Sequence, residues 1–190
     1  MESDLQAERR YFENFSELRA CVDAFRSEGK KIVLTQGVYD LIHLGHAQYL
    51  ERAKSYGDIL VVGVDSDALT KKRKGEGRPV VPQDERIKML LHLRHVDIVV
   101  LRDVDKELEA LIKTLEPDVY IASESTKDFV VDPKLAAYCG EVHTLPPQAT
   151  TSTTARVHQV SMLGADALAA ELAKAIPEIV HHALQKIKDR

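Results

Sequence analysis

Apolar residues fall along this chain with two different spacings. Uninterrupted runs at Ile32-Val33-Leu34, Ile59-Leu60-Val61-Val62-Gly63-Val64, Ile98-Val99-Val100-Leu101 and Val119-Tyr120-Ile121-Ala122 show no polar alternation, and a shorter run covers 141–145. Runs of this kind suit strands covered on both faces. Between them, Phe15, Leu18, Val22 and Phe25, then Ala47, Leu50 and Ala53, recur at helical spacing. Ile87, Leu90, Leu91 and Leu93, and Leu108, Leu111, Ile112 and Leu115, do the same. Gly29, Gly57 and Pro117 stop three of these helices. Alternating strands and helices predict an α/β fold: a doubly wound, five-stranded parallel sheet with right-handed crossovers. The expected organisation is an N-terminal helical arm over 1–30, the α/β domain over 31–160 and a C-terminal helical extension over 161–190. The first residues read as frayed, 65–82 as a polar basic loop, and 83–95 as a helix.

The chain has 190 residues, 44% hydrophobic and 29% charged, the make-up of one ordinary globular domain with some extra helix. Its net charge of −4 argues against bulk nucleic-acid binding, so any anion site must come from local placement of basic residues. Cys21 and Cys139 stand far apart, form no metal spacing or disulfide framework, and are expected as reduced core residues. No apolar run approaches the roughly 18 residues that span a bilayer. Met1-Glu2-Ser3-Asp4 is acidic and lacks a signal-peptide core. The expectation is a cytoplasmic chain without membrane or nucleic-acid partners.

Chemistry concentrates just after the first strand, in Thr35-Gln36-Gly37-Val38-Tyr39-Asp40-Leu41-Ile42-His43-Leu44-Gly45-His46. A glycine turn followed by two histidines at a helix start suits a polyphosphate, because backbone amides there attract anions and imidazoles can donate to phosphoryl oxygens. Gly45 would let backbone and phosphate approach closely. On the residues alone, His43 could instead cap a turn and His46 sit in the core. Neither GxxxxGK[ST] nor, after the first strand, GxGxxG is present. Lys71, Lys72, Arg73 and Lys74, with Arg78 beyond, form either an anion-holding cluster or a solvated surface. Thr150-Thr151-Ser152-Thr153-Thr154 could bind phosphate or simply cap a helix. His92, His95, His143, His158, His181 and His182 have no motif around them.

The stretch Gly37–His46 resembles the signature of the cytidylyltransferase-like nucleotidyltransferase superfamily, a strand followed by G-x-[FY]-D-x-x-H-x-G-H. Within it the chain is most similar to the heptose 1-phosphate adenylyltransferase branch, from about Ser16 to Val160. That similarity includes Val64-Asp65-Ser66-Asp67-Ala68, Gly77-Arg78-Pro79-Val80-Val81-Pro82 and Asp84-Glu85-Arg86. The resemblance implies transfer of a nucleoside monophosphate from a nucleoside triphosphate, ATP favoured, to a small phosphorylated acceptor, with release of pyrophosphate. It implies catalytic roles for His43, His46 and Arg86. Thr35, Gly37, Val38, Tyr39, Gly45, Asp65, Ser152, Thr153 and Thr154 would hold the nucleotide. Asp40, Lys71, Lys72, Lys74 and Arg78 would hold substrate or phosphate, with Mg²⁺ on Asp40 as its protein ligand. A homodimer is also implied.

Two departures leave the acceptor open. Where that branch often has V-K-G-G-D, this chain has Ile121-Ala122-Ser123-Glu124-Ser125. Arg94 and Asp97 match residues of the glycerol-3-phosphate cytidylyltransferase branch, but the arginine that branch carries ahead of its S-T-T is missing from 147–154. A flavin mononucleotide adenylyltransferase and an inactive nucleotide-binding regulator are further alternatives.

Overall fold

A computed structural model describes residues 10–104, 108–124, 133–149 and 161–164. Six parallel strands form one sheet: β1 (Tyr11–Phe12), β2 (Ile32–Gly37), β3 (Ile59–Asp65), β4 (Ile98–Arg102), β5 (Val119–Ser123) and β6 (Glu141–Leu145). Their order is β1-β4-β3-β2-β5-β6. Strands β3 and β4 build out on one side of β2, and β5 and β6 on the other. The chain therefore reverses direction between β2 and β5, and in such sheets ligands bind beyond the carboxyl ends of the strands at that point.

Side chains alternate across the sheet with period two. Ile32, Leu34, Ile59, Val61, Ile98, Val100 and Tyr120 pack against α1 (Phe15–Ser27) and α5 (Leu108–Leu115). Val33, Leu60, Val62, Val99, Val119 and Ile121 pack on the other face against α2 (Leu44–Lys54) and α4 (Gln83–Leu91). Each fully buried aliphatic side chain in these two layers stabilises the fold by about 1.5–3 kcal/mol relative to exposure. Two further helices, α3 (Asp67–Lys74) and α6 (Pro133–Ala136), lie in the connections.

Several expectations are corrected. The sheet has a sixth strand, because Arg10 pins the start of the described chain. Its carbonyl accepts the Val99 amide at 2.8 Å, and its guanidinium donates to the carbonyls of Leu91, Val96 and Asp97. That guanidinium also takes the end of α4, which stops at Leu91 rather than near residue 95. The basic loop contains a helix, α3, which Ser66 caps by accepting the Leu69 amide at 3.0 Å and whose last turn is Lys71-Lys72-Arg73-Lys74. Cations there complement the helix dipole. Helix α1, expected as an arm, is a layer of the body. Leu18 and Val22 are fully buried, and Arg19 and Arg26 donate to the carbonyls of Thr114 and Leu115 at 2.8 and 2.5 Å. Cys21 and Cys139 are only partly buried at the edge of the core. Burial raises both thiols, Cys139 to about 11.

A first compact unit runs from Met1 to Thr150 and a second from Thr151 to Arg190. Of the second, residues 161–164 are described and are helical. The expected C-terminal extension otherwise lies outside the described residues. Among the described residues no helix is long and apolar enough to cross a membrane.

Aspartates finish the amino ends of the central strands. Asp118 accepts the Ile32 amide at 2.7 Å, Asp58 the Lys31 amide at 2.8 Å, and Asp97 the Leu60 amide at 2.6 Å together with the Lys54 ammonium. Asp97 thus works at the end of the sheet opposite the histidine turn. Replacing it by alanine orphans the Leu60 amide, and urea unfolding is expected to show a loss of about 1–3 kcal/mol. Asp97→Asn, which keeps an acceptor, should lose clearly less. Equal losses in the two variants would show that the hydrogen bond is not what matters.

Candidate active site

Strand β2 ends at Gly37, and the chain leaves the sheet through two non-glycine residues with left-handed backbone, Tyr39 (φ 55°) and Leu41 (φ 47°). Each such residue costs roughly 1–2 kcal/mol, so something must hold the turn. Asp40, buried between them, does so. Its Oδ1 accepts the amides of Val80 and Val81 at 3.1 and 3.0 Å, and its Oδ2 accepts Arg78 Nη1 at 3.0 Å and Val80 N at 3.0 Å. Burial alone would raise the Asp40 carboxyl, but these amides and the guanidinium outweigh it and hold it below the usual carboxylate range. The Tyr39 ring fills the space that a Cβ on Gly37 would need, 3.2 Å away, and meets His46 edge-on at 5.6 Å between centroids.

Helix α2 opens with a reciprocal histidine cap. The Gly45 amide donates to His43 Nδ1 at 3.1 Å, and the His43 amide donates to His46 Nδ1 at 3.4 Å. Imidazoles stand here where a capping box usually has Ser or Thr and Glu or Gln. A ring nitrogen that accepts an amide N–H carries no proton, so the neutral form of each ring is protonated on Nε2. The rings stack at 4.1 Å and 29°. Burial, then His43 and the charge of Lys74, push His46 down to about 4, with Asp40 acting the other way. At neutral pH His46 is a hydrogen-bond donor rather than an acid. A Cβ on Gly45 would lie 3.0 Å from His43 Cε1 and 3.3 Å from the Ala149 Cβ, so only glycine lets the ring settle there without displacement.

Other expected site residues fall into two groups. Thr35 faces inward, its hydroxyl 2.8 Å from that of Tyr49 and donating to the Ile121 carbonyl at 2.9 Å, so it bridges β2 to β5 rather than facing a ligand. Burial raises the Tyr49 hydroxyl to about 12. Arg86, expected as catalytic, is 1% exposed. It donates to Val81 O at 2.9 Å, to Val38 O, to Asp65 O at 2.9 Å and to Asp67 Oδ1 at 2.7 Å. Four of its five N–H groups are thereby used, and the residue is a brace beneath the site rather than a group aimed at phosphate. Asp65, expected to hold nucleotide, is fully buried and paired with Arg102 and Arg73. Lys71 and Lys72 are exposed on α3. Lys74 is exposed there too, but partial desolvation of its ammonium pushes it down, Asp65 and Asp40 act the other way, and Arg73 and Arg78 add to the lowering. Ser152, Thr153 and Thr154 lie outside the described residues.

Mg²⁺ on Asp40 does not fit this geometry. A carboxylate offers about four lone-pair directions, and Arg78, Val80 and Val81 make four contacts with them. Among the described residues no three His, Cys, Asp or Glu side chains converge as a metal cluster. Sequence reading also missed Arg102. The available signal was that two apolar strands end on opposite charges, Asp65 and Arg102, which stand opposite each other in register. Two of the histidines without a motif have carboxylate partners away from the turn, His143 with Glu141 at 2.8 Å and His95 3.5 Å from Glu51, while His158, His181 and His182 lie outside the described residues.

A family model described as Cytidylyltransferase-like matches residues 34–163. The bifunctional protein HldE of Geobacter metallireducens is 46% identical over 108 residues, 57% of this chain and 22% of that protein. HldE of Aliarcobacter butzleri is 37% identical over 151 residues, 78% of this chain and 31% of that protein. The chain thus spans between about a fifth and a third of the length of these curated relatives. Among solved structures, a lipopolysaccharide core biosynthesis protein from Thermoplasma volcanium superposes with a TM-score of 0.54 at 24% identity, covering 64% of this chain and 100% of that one. A pantoate-β-alanine ligase from Francisella tularensis gives 0.56 at 14% identity, covering 74% and 67%. These two likenesses concern the fold.

The cap has a pH signature. With His46 lowered from 6.5 to about 4, the unfolded chain takes up a proton between those values that the folded chain refuses. Stability should therefore fall as pH drops through that window. In His46→Asn, whose amide oxygen can accept from His43, the fall between pH 7 and 5 in urea midpoint should be smaller. An unchanged pH dependence would mean that His46 is not held neutral.

Proposed function

The chain belongs to the cytidylyltransferase-like family, and from that premise we propose that it transfers a nucleoside monophosphate to a sugar phosphate, with ATP and heptose 1-phosphate as the favoured pair. An oxygen of the acceptor's phosphate attacks the α-phosphorus. The new P–O bond forms as the bond from that phosphorus to the β-bridging oxygen breaks, and pyrophosphate leaves. The attacking oxygen is already anionic, so no strong base is required. Catalysis then consists of alignment and stabilisation of charge on the phosphoryl oxygens.

The observation that carries this reading is the reciprocal histidine cap. With both Nδ1 atoms tied to amides, the protons of the neutral rings lie on Nε2, the right polarity for α- and β-phosphate oxygens. The start of α2 adds its dipole. Lys74, whose charge His46 feels, and Arg78, held by Asp40, balance the leaving pyrophosphate. Mg²⁺ enters with the triphosphate as part of the substrate, since Asp40 is committed to the turn. The similarity to HldE proteins supports the heptose phosphate acceptor. A cytoplasmic location and a homodimer complete the proposal; light scattering should then give twice the mass of one chain, and a monomer would refute the dimer.

Pyrophosphate release from a panel of triphosphates and phosphate esters tests the reaction. ATP with heptose 1-phosphate should turn over, and CTP with glycerol 3-phosphate should not; the reverse pattern would transfer the chain to the cytidylyl branch. His46→Ala should lower kcat at least ~100-fold, the cost of one oxyanion-type donor. Near-normal turnover in that variant would remove the histidines from the mechanism.

A further inference from the structure

Asp65 ends β3 and Arg102 ends β4, opposite each other in register. Both are buried, at 0% and 4% exposure. Arg102 places Nε at 3.0 Å and Nη2 at 2.6 Å on one oxygen of Asp65. That pair alone would be neutral and closed. Arg73, from the last turn of α3, occupies the other oxygen, with Nη1 at 2.8 Å and its side chain 33% exposed. One carboxylate thus serves two guanidiniums, and the trio carries a net positive charge. Arg102 is dry, so the surplus resides on Arg73, which has one of its five N–H groups bonded among the described residues.

This construction differs from an ordinary surface cation. A free arginine samples many rotamers, whereas one nitrogen tied to a buried carboxylate restricts the guanidinium to fewer of them before any ligand arrives. Arg73 stands at the β3 and β4 ends of the sheet, displaced from the β2–β5 crevice where the histidine turn lies. Its neighbour Lys74 couples electrostatically to Arg73, to Arg78 and to His46, so the two regions adjoin. A phosphate lodged on Arg73 would lie beside a nucleotide held by the histidines.

We propose that Arg73, seated by Asp65 on the buried Arg102, binds the phosphate of the acceptor, a sugar phosphate monoester, as a subsite separate from the nucleotide's. The assignment rests on the transfer reaction proposed above, and the test separates the two. Inorganic phosphate is titrated calorimetrically into the full chain saturated with a non-hydrolysable ATP analogue. The unmodified protein should bind it, and R73Q should bind it at least about tenfold more weakly, the loss of charge-assisted hydrogen bonds. R73K should recover only part, since an ammonium lacks the fork. Affinity for the ATP analogue should be the same in all three. Both variants keep the Asp65–Arg102 pair, and a urea midpoint matching that of the unmodified protein shows that a loss of phosphate affinity is not a loss of fold. Equal phosphate affinity in R73Q, or a parallel loss of analogue affinity, overturns the subsite. Phosphate binding that depends on Arg73, with no phosphate ester turned over, keeps the subsite and sinks the reaction. Turnover whose acceptor KM is unmoved by R73Q does the opposite.

Discussion

The carboxyl end of the sheet is assembled around one buried guanidinium. Arg86 reaches from α4 to the carbonyl of Val38 in the histidine turn, to that of Val81 in the loop before α4, to that of Asp65 at the end of β3 and to the carboxylate of Asp67 at the start of α3. The histidine turn, the β3–α3 junction and the loop before α4 are thereby fixed to one planar group. Taking a guanidinium out of water costs several kcal/mol unless its hydrogen bonds are made. Here the Asp67 carboxylate and three carbonyls make them. Remove the group and those carbonyls are orphaned at the edge of the core. The positions of the turn and of the basic helix are therefore mechanically linked.

The histidine turn carries a second constraint, in which capping and chemistry use the same atoms. A side chain that only capped a helix could be Ser or Thr; one that only met phosphate could sit on any rigid support. Because both Nδ1 atoms are taken by backbone amides, the fold itself sets the tautomer and ring orientation. The left-handed residues Tyr39 and Leu41 show where the compensating strain is stored, and Asp40 holds it in place. Strain of this kind persists only where surrounding contacts over-determine it.

The parallel sheet was legible in the sequence because strands buried on both faces leave continuous apolar runs, and four of the six announced themselves that way. Strand β1 did not, since two residues anchored by Arg10 leave no periodic trace. Helix α3 was hidden because it buries only Leu69 and Thr70, too little to create an apolar stripe. The histidine turn was legible as a motif, and its partner loop as a basic cluster. What a sequence cannot display is where each donor goes. Arg86, Thr35 and Asp65 looked like ligand contacts and are internal ties, while Arg102, which had no motif, anchors the basic helix through Asp65. Spacing along the chain identifies which residues meet at the sheet edge, but only packing decides which of them turn inward.

The crowding of cations on α3 has an effect that reaches beyond contact distance. Residues 71–78 hold five basic side chains and one acidic one, a net of +4, so the remainder of a chain of net −4 carries −8. The charge of this short segment is thus opposite in sign to that of the rest of the sequence. A concentrated positive segment of this kind attracts a polyanion from beyond contact distance and steers its encounters toward that part of the sheet edge. At physiological salt that field decays over about 8 Å. Capture rates should consequently be far more sensitive to ionic strength than the chemistry that follows.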